Sequence, residues 1–205
     1  VADESLALCQ GNRSERQDVG IKGIRIAGFG GQGVILSGHI IGQAVSIHDS
    51  GFATLTQSYG PEARGGSCAS EVIISDKPIS YPYVRNADIL VALSQEAYTK
   101  YGQDLPPQTL TIIDPDLVKP DPSHNPAPLT IPATRMARSM GRPVVANIIM
   151  LGYLAAVSDL VPPESLKESV LTSVPKGTEE LNAKAFDSGY NYGLEQRGGS
   201  EAASG

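Results

Sequence analysis

From Lys22 onward, apolar and polar positions fall into short runs that switch between a period of two and a period near 3.6. Lys22 to Ala27 alternates and predicts a first strand, and Val34 to Ile47 carries a helical pattern behind it. Phe52 to Gln57 (FATLTQ) and Ser67 to Ser75 (SCASEVIIS) predict two further strands, the latter alternating at first and then continuously apolar. Asp88 to Leu93 (DILVAL) reads as a short buried strand. A helix opens behind it at Ser94, with Glu96 in the first turn where an acid suits the helix dipole. Thr109 to Ile113 is another strand, ended by Asp114-Pro115.

Pro115, Pro120, Pro122, Pro126 and Pro128 then fix φ and remove ladder donors, which predicts an extended surface loop over 114–128. Thr130 to Pro132 is a last short strand. Helices follow: Ala133 to Met140, stopped by Gly141, and Val144 to Leu160, apolar nearly all round and hence buried. A third begins at Pro162-Pro163-Glu164, where proline and an acid suit an N-terminus, and a fourth spans Gly177 to Tyr190. Helices between short apolar strands predict a single α/β domain. Its sheet is mostly parallel and open, Rossmann-like, with helices on both faces and further helices at the C-terminal end. The domain is expected over 21–194, with residues 1–20 a flexible N-terminal extension and 195–205 a flexible tail.

Composition narrows the chemistry. The net charge of −6 argues against a general nucleic-acid binder, which needs a positive field. Only Cys9 and Cys68 occur, far apart, and His39, His48 and His124 lie at no metal-ligand spacing, so neither a zinc site nor an iron–sulfur cluster is expected in this chain. Sparse thiols suit the cytosol. Residues 1–20 lack the apolar centre of a secretory signal, and Val144 to Val157 is too short to cross a bilayer, so a soluble cytoplasmic protein with no membrane partner is expected.

The chemistry concentrates in Gly28-Phe29-Gly30-Gly31-Gln32-Gly33, between the first strand and the first helix. A glycine-rich turn there lets backbone N–H groups approach a ligand and aims a helix N-terminus at it, which favours phosphate or another anion. Gly28, Gly30 and Gly33 also match the dinucleotide fingerprint. That fingerprint wants an acid at the end of the second strand, where this chain has Thr56-Gln57-Ser58; Asp49 precedes the strand instead. A stand-alone nucleotide-binding oxidoreductase remains an alternative, as do glycines serving only a tight turn.

A second glycine-rich stretch, Ser58 to Ser67, carries Tyr59, Glu62 and Arg64, side chains that a simple turn does not require. Arg64 can grip phosphate or carboxylate in a fork, or pair with Glu62 on the surface. In doubly wound sheets ligands gather where loops leave the carboxyl ends of strands, so the two glycine loops are expected to share one crevice.

Three motifs together, G-x-G-G-Q-G-V from Gly28, Y-G-P-E-x-R-G-G from Tyr59 and D-I-L-V-A-L-S-Q-E-A-Y from Asp88, resemble the gamma subunit, or fused gamma domain, of the 2-oxoacid:ferredoxin oxidoreductases. The resemblance covers roughly residues 22–190. It implies a subunit of a complex that oxidatively decarboxylates a 2-oxo acid, delivers the acyl group to coenzyme A and reduces ferredoxin. Thiamine diphosphate, Mg2+ and [4Fe–4S] clusters would lie on partner chains: thiamine-binding alpha and beta subunits and a ferredoxin-like subunit. Gly30, Gly31, Gln32 and Gly33 would line the coenzyme A phosphates. Tyr59, Gly60, Glu62, Arg64, Gly65 and Gly66 would face the partner subunit and the shared active site. Asn147, a lone amide on an apolar helix, would offer a ligand hydrogen bond, or else satisfy nearby backbone. Lys77 and Arg85, flanking Tyr81 and Tyr83, would reach the phosphorylated ribose or a neighbouring chain. No catalytic residue or metal ligand is assigned to this chain. 2-Oxoglutarate is the first expectation for the substrate, with pyruvate, branched-chain and aryl 2-oxo acids open, and a purely structural subunit is the competing role.

Overall fold

The computed structural model describes residues 20–60, 66–103 and 105–203. Strand β1 (Ile21–Phe29) leads through the glycine turn into α1 (Val34–Gln43), which widens into one π-helical turn at Ala44–His48. Strands β2 (Phe52–Tyr59), β3 (Ser67–Ser75) and β4 (Ile89–Ala92) follow, then α2 (Gln95–Tyr101), β5 (Leu110–Ile113) and β6 (Leu129–Thr130). The C-terminal part is helical: α3 (Ala133–Ser139), a 3-10 turn at Pro143–Val145, α4 (Ala146–Val157), α5 (Pro163–Ser173) and α6 (Glu179–Ala203).

The six strands lie in the order β2-β3-β1-β4-β5-β6. β1, β4, β5 and β6 run parallel, whereas β3 is antiparallel to both β1 and β2. The sheet is therefore mixed, with three parallel pairings against two antiparallel ones. The connector from Tyr59 to Ser67, too long for a tight hairpin, nevertheless joins antiparallel neighbours, and the Gly60 N–H to Ser67 carbonyl bond closes its base.

Both faces are covered, unevenly. One face carries Ile24, Ile26, Val72, Ile74, Val91 and Ile112 into a single large core with α1, α4, α5 and α6. The opposite face is covered by α2, which packs Ala97 on Ala27 and Ala69 and packs Tyr98 on Ala92 and Ile113. Val84 and Ala87, in the connector to β4, cover Ile73 on that same face. Ser94 caps α2 by accepting the Ala97 N–H at 3.1 Å.

Helix α4 is buried from Asn147 through Ala156, as its apolar circumference requires, but Val144 lies in the 3-10 turn and is exposed. Gly152 faces the Phe186 carbonyl of α6, and Gly189 of α6 faces the Ile149 carbonyl of α4. The two helices thus touch backbone to backbone.

The last helix runs past Tyr190 to Ala203, so the tail expected from 195 is helical over most of its length. Tertiary bonds explain the extension. Gln196 donates to the Thr130 carbonyl at 3.1 Å and accepts from the Tyr153 hydroxyl at 2.5 Å, while Arg197 donates to the Ala156 carbonyl at 2.8 Å. The extension expected over 1–20 lies outside the described residues, Gly20 excepted.

Candidate functional site

The glycine turn sits where β1 ends beside the parallel strand β4. Its backbone needs glycine at two points: Gly31 has φ +97° and Gly33 φ +75°, a left-handed region costly for other residues. A Cβ on Gly31 would meet nothing, so only its conformation demands glycine. At Gly33 space is also short, because the Asn147 amide fills the position that a Cβ would occupy.

Most polar groups of the turn are spoken for. The Phe29 N–H donates to Gln32 Oε1 at 2.6 Å, the Gly30 N–H to the Gly66 carbonyl at 2.9 Å, and the Gln32 N–H to the Phe29 carbonyl at 3.2 Å. Gln32 Nε2 donates to the Leu93 carbonyl at 2.7 Å, just beyond the end of β4. Among the described residues the Gly31 and Gly33 N–H groups have no acceptor. Gly33 begins α1 with no side-chain cap, and the first turn of that helix holds no acid. The result is a pair of uncommitted amide hydrogens at a positive helix end, which suits an anion.

The turn borders a cleft of about 320 Å³. Gly31 and Gln32 line it on the turn, Asn147 and Met150 on α4, and Val144 on the preceding 3-10 turn. Asp114, Leu117 and Thr134 close the remaining side. Asn147 is 6 % exposed and has no hydrogen-bond partner among the described residues. Its carboxamide is not sealed from the cleft, so an arriving ligand can bond to it directly. Asp114 is different: its carboxylate accepts from Asp116 N–H at 2.9 Å and from Thr134 N–H at 2.7 Å, fixing the end of β5 to the start of α3.

The predicted residues divide. Gly31, Gln32 and Asn147 meet in one cleft, Gly33 packs beneath Asn147, and Gly30 is tied to Gly66 of the second loop. Tyr59 and Gly60 line a separate hollow of about 80 Å³ with Cys68, Glu96, Lys100 and Tyr101. The two loops are thus bonded together and share this small hollow, which Gly28 also lines, whereas Gly31 and Gln32 open into the larger cleft. Glu62, Arg64 and Gly65 lie outside the described residues. Neither Lys77 nor Arg85 lines the cleft; Arg85 lies over the Tyr81 ring, 4.8 Å from its centre, and Tyr81 meets Tyr83 edge-on. Gln32 lines the cleft while its amide bonds backbone at both ends, Phe29 in the turn and Leu93 past the end of β4.

Sequence reasoning missed Asp114, Thr134, Val144 and Met150. The Asp-Pro pair closing β5 was the one available signal, since a strand that stops at an acid before a proline places that acid at the carboxyl edge. A larger groove of about 570 Å³ runs between α2 and the proline-rich loop. Its polar groups bond to one another: Gln95 with the Lys119 backbone, the Tyr98 hydroxyl with Asp121 N–H, and His124 with Thr111. It offers a ligand less than the smaller cleft does.

An α/β domain with a glycine turn and an unpartnered carboxamide beside its first crossover is the fold and site this sequence builds. The model of the pyruvate ferredoxin/flavodoxin oxidoreductase family matches residues 23–200, and the chain belongs to that family. It is a gamma subunit of a 2-oxoacid:ferredoxin oxidoreductase. The 2-oxoglutarate synthase subunit KorC of Methanocaldococcus jannaschii is 50% identical over 177 residues, spanning 85% of this chain and 95% of that one. The solved gamma subunit of a keto/oxoacid ferredoxin oxidoreductase from Geobacter sulfurreducens PCA is 42% identical, with a TM-score of 0.78 over 86% of this chain and 98% of that one. The 2-oxoglutarate:ferredoxin oxidoreductase of Magnetococcus marinus, solved with 2-oxoglutarate, coenzyme A and succinyl-CoA, shares the fold. Its TM-score is 0.75 at 23% identity, over 87% of this chain and 31% of that one.

Proposed function

We propose that this subunit binds coenzyme A for a 2-oxoglutarate:ferredoxin oxidoreductase and helps close the active site over it. The complex would oxidatively decarboxylate 2-oxoglutarate, form succinyl-CoA and CO2, and pass two electrons to ferredoxin. The name and 50% identity of the KorC relative support 2-oxoglutarate as the substrate. Thiamine diphosphate with Mg2+ would sit on alpha and beta partners, and the [4Fe–4S] clusters on those partners or a ferredoxin-like subunit. Among the described residues no group of three His, Cys, Asp or Glu side chains stands close enough to hold a metal ion. No described helix is long and apolar enough to cross a membrane.

The observation carrying this reading is the meeting of Gly31, on the glycine turn before α1, with the unpartnered Asn147 carboxamide on one cleft, Gly33 packing beneath Asn147. Amide hydrogens at a helix start suit a diphosphate, and a carboxamide both donates and accepts, as an amide-bearing cosubstrate arm requires. Coenzyme A carries both features. The chain contributes position and electrostatics, and the partners supply the carbanion and redox chemistry. Gly60, Gly66 and Tyr59, with Glu62, Arg64 and Gly65 beyond the described residues, would form the contact to the alpha or beta partner. The test is acyl transfer in the reconstituted complex. Substituting Gly31→Ala forces a Cβ onto a left-handed backbone and is expected to raise the KM for coenzyme A. An unchanged KM with an assembled complex rejects the cleft as the coenzyme site.

A further inference from the structure

We propose that Gln32 is the positioning residue of this cleft, aiming the turn's amides without itself touching the cosubstrate. The proposal rests on the coenzyme A reading above and adds the element that sets its geometry.

Three observations carry it. First, the Gln32 amide bridges two strand ends: Oε1 accepts the Phe29 N–H at 2.6 Å, and Nε2 donates to the Leu93 carbonyl at 2.7 Å. Leu93 in turn donates its N–H to the Ala27 carbonyl at 2.8 Å, so the bridge closes a ring through β1 and the end of β4. Second, the chain makes room for this side chain. A Cβ on Gly28 would overlap Gln32 Oε1 and come within 2.9 Å of the Leu93 Cβ, so glycine at 28 is a condition of the bridge. Third, the residues held in left-handed conformation, Gly31 and Gly33, flank Gln32 on either side. Their N–H directions therefore follow from where the Gln32 backbone is held. The Gln32 backbone itself makes one printed bond, its N–H to the Phe29 carbonyl at a long 3.2 Å, while Gly30 and Gly33 on either side are tied to Gly66 and Ser37.

A positioning residue of this kind acts on binding of the anion, and little on the chemistry that partner chains perform. In the reconstituted complex, Gln32→Leu keeps the volume and removes both bonds. The KM for coenzyme A is expected to rise about tenfold, the usual worth of one or two lost hydrogen bonds, with kcat and the KM for the 2-oxo acid within about twofold of the parent. Gln32→Glu keeps the acceptor for Phe29 but faces the Leu93 carbonyl with no donor, and adds a negative charge beside the cradle. Its KM for coenzyme A should rise further, and the excess over Gln32→Leu should shrink as ionic strength increases.

Unchanged KM for coenzyme A in both variants overturns the assignment. So does a parallel loss in kcat and both KM values, which marks a role in the fold alone. Asn147→Leu separates this failure from failure of the underlying reading. If Asn147→Leu raises the KM for coenzyme A and Gln32→Leu does not, the cleft stands and Gln32 falls; if neither does, the coenzyme lies elsewhere.

Discussion

The side-chain amide of Asn147 rests against the α-carbon of Gly33, leaving no room for a Cβ between them. One residue comes from a buried helix and the other from the start of the first crossover helix, 114 positions apart in the chain by their numbers. Their contact sets the floor of the cleft, and it makes each a reporter on the other.

Replacing Asn147 with leucine keeps the shape and removes both the donor and the acceptor. Coenzyme A should bind about tenfold more weakly to the assembled complex, as one lost bond to a buried group implies. The chain itself should unfold at about the same temperature, because the side chain gives up no hydrogen bond among the described residues. Titration calorimetry with coenzyme A, paired with thermal melting, checks both halves.

Gly33→Ala should destabilise the chain by about 2–3 kcal/mol, combining the left-handed backbone cost with the overlap against Asn147. Adding Asn147→Ala should recover the overlap and leave about 1–2 kcal/mol of backbone strain. Denaturant unfolding of the two singles and the double gives the coupling. Simple additivity would mean that the two residues do not share space.

Gly189→Ala would drive a methyl group into the Ile149 carbonyl of α4, where backbone cannot yield without moving a helix. The loss should be about 3 kcal/mol or more, larger than ordinary overpacking against flexible side chains. Because α4 carries Asn147, coenzyme affinity should fall together with stability. That joint loss is what distinguishes this variant from Asn147→Leu.

Burial raises the Cys68 thiol above its ordinary value, with desolvation of the thiolate as the cause. The folded state therefore holds its proton to higher pH than the unfolded chain does. This contribution to stability is full below the unfolded thiol's pKa, near 8.5, and is lost as pH rises above it. Cys68 should also alkylate much more slowly in the folded chain than after denaturation, measured by mass spectrometry of the Cys68 peptide.

The elements were largely legible because their local signals agree with their burial. Ser67–Ser75 has the same bounds in the sequence pattern and in the fold, and Ser94 caps α2 through the bond its position implied. The topology was not legible. Nothing in the alternation of β2 or β3 tells an antiparallel partner from a parallel one, and the length of the 60–66 connector argued against the pairing it makes. The tail was misjudged because Gln196 and Arg197 read as polar surface, whereas their partners, Thr130 and Ala156, are distant in sequence. At the site, the glycines announced a left-handed turn beside a cleft, but only side-chain geometry separates Gln32, spent on backbone, from Asn147, left open.

The glycine seam between α4 and α6 bears on how recognition happens. Two helices in main-chain contact cannot slide or rotate without colliding at Gly152 and Gly189. The wall bearing Asn147 is consequently cast before any cosubstrate arrives, and the entropy of shaping it is spent during folding and not at each encounter.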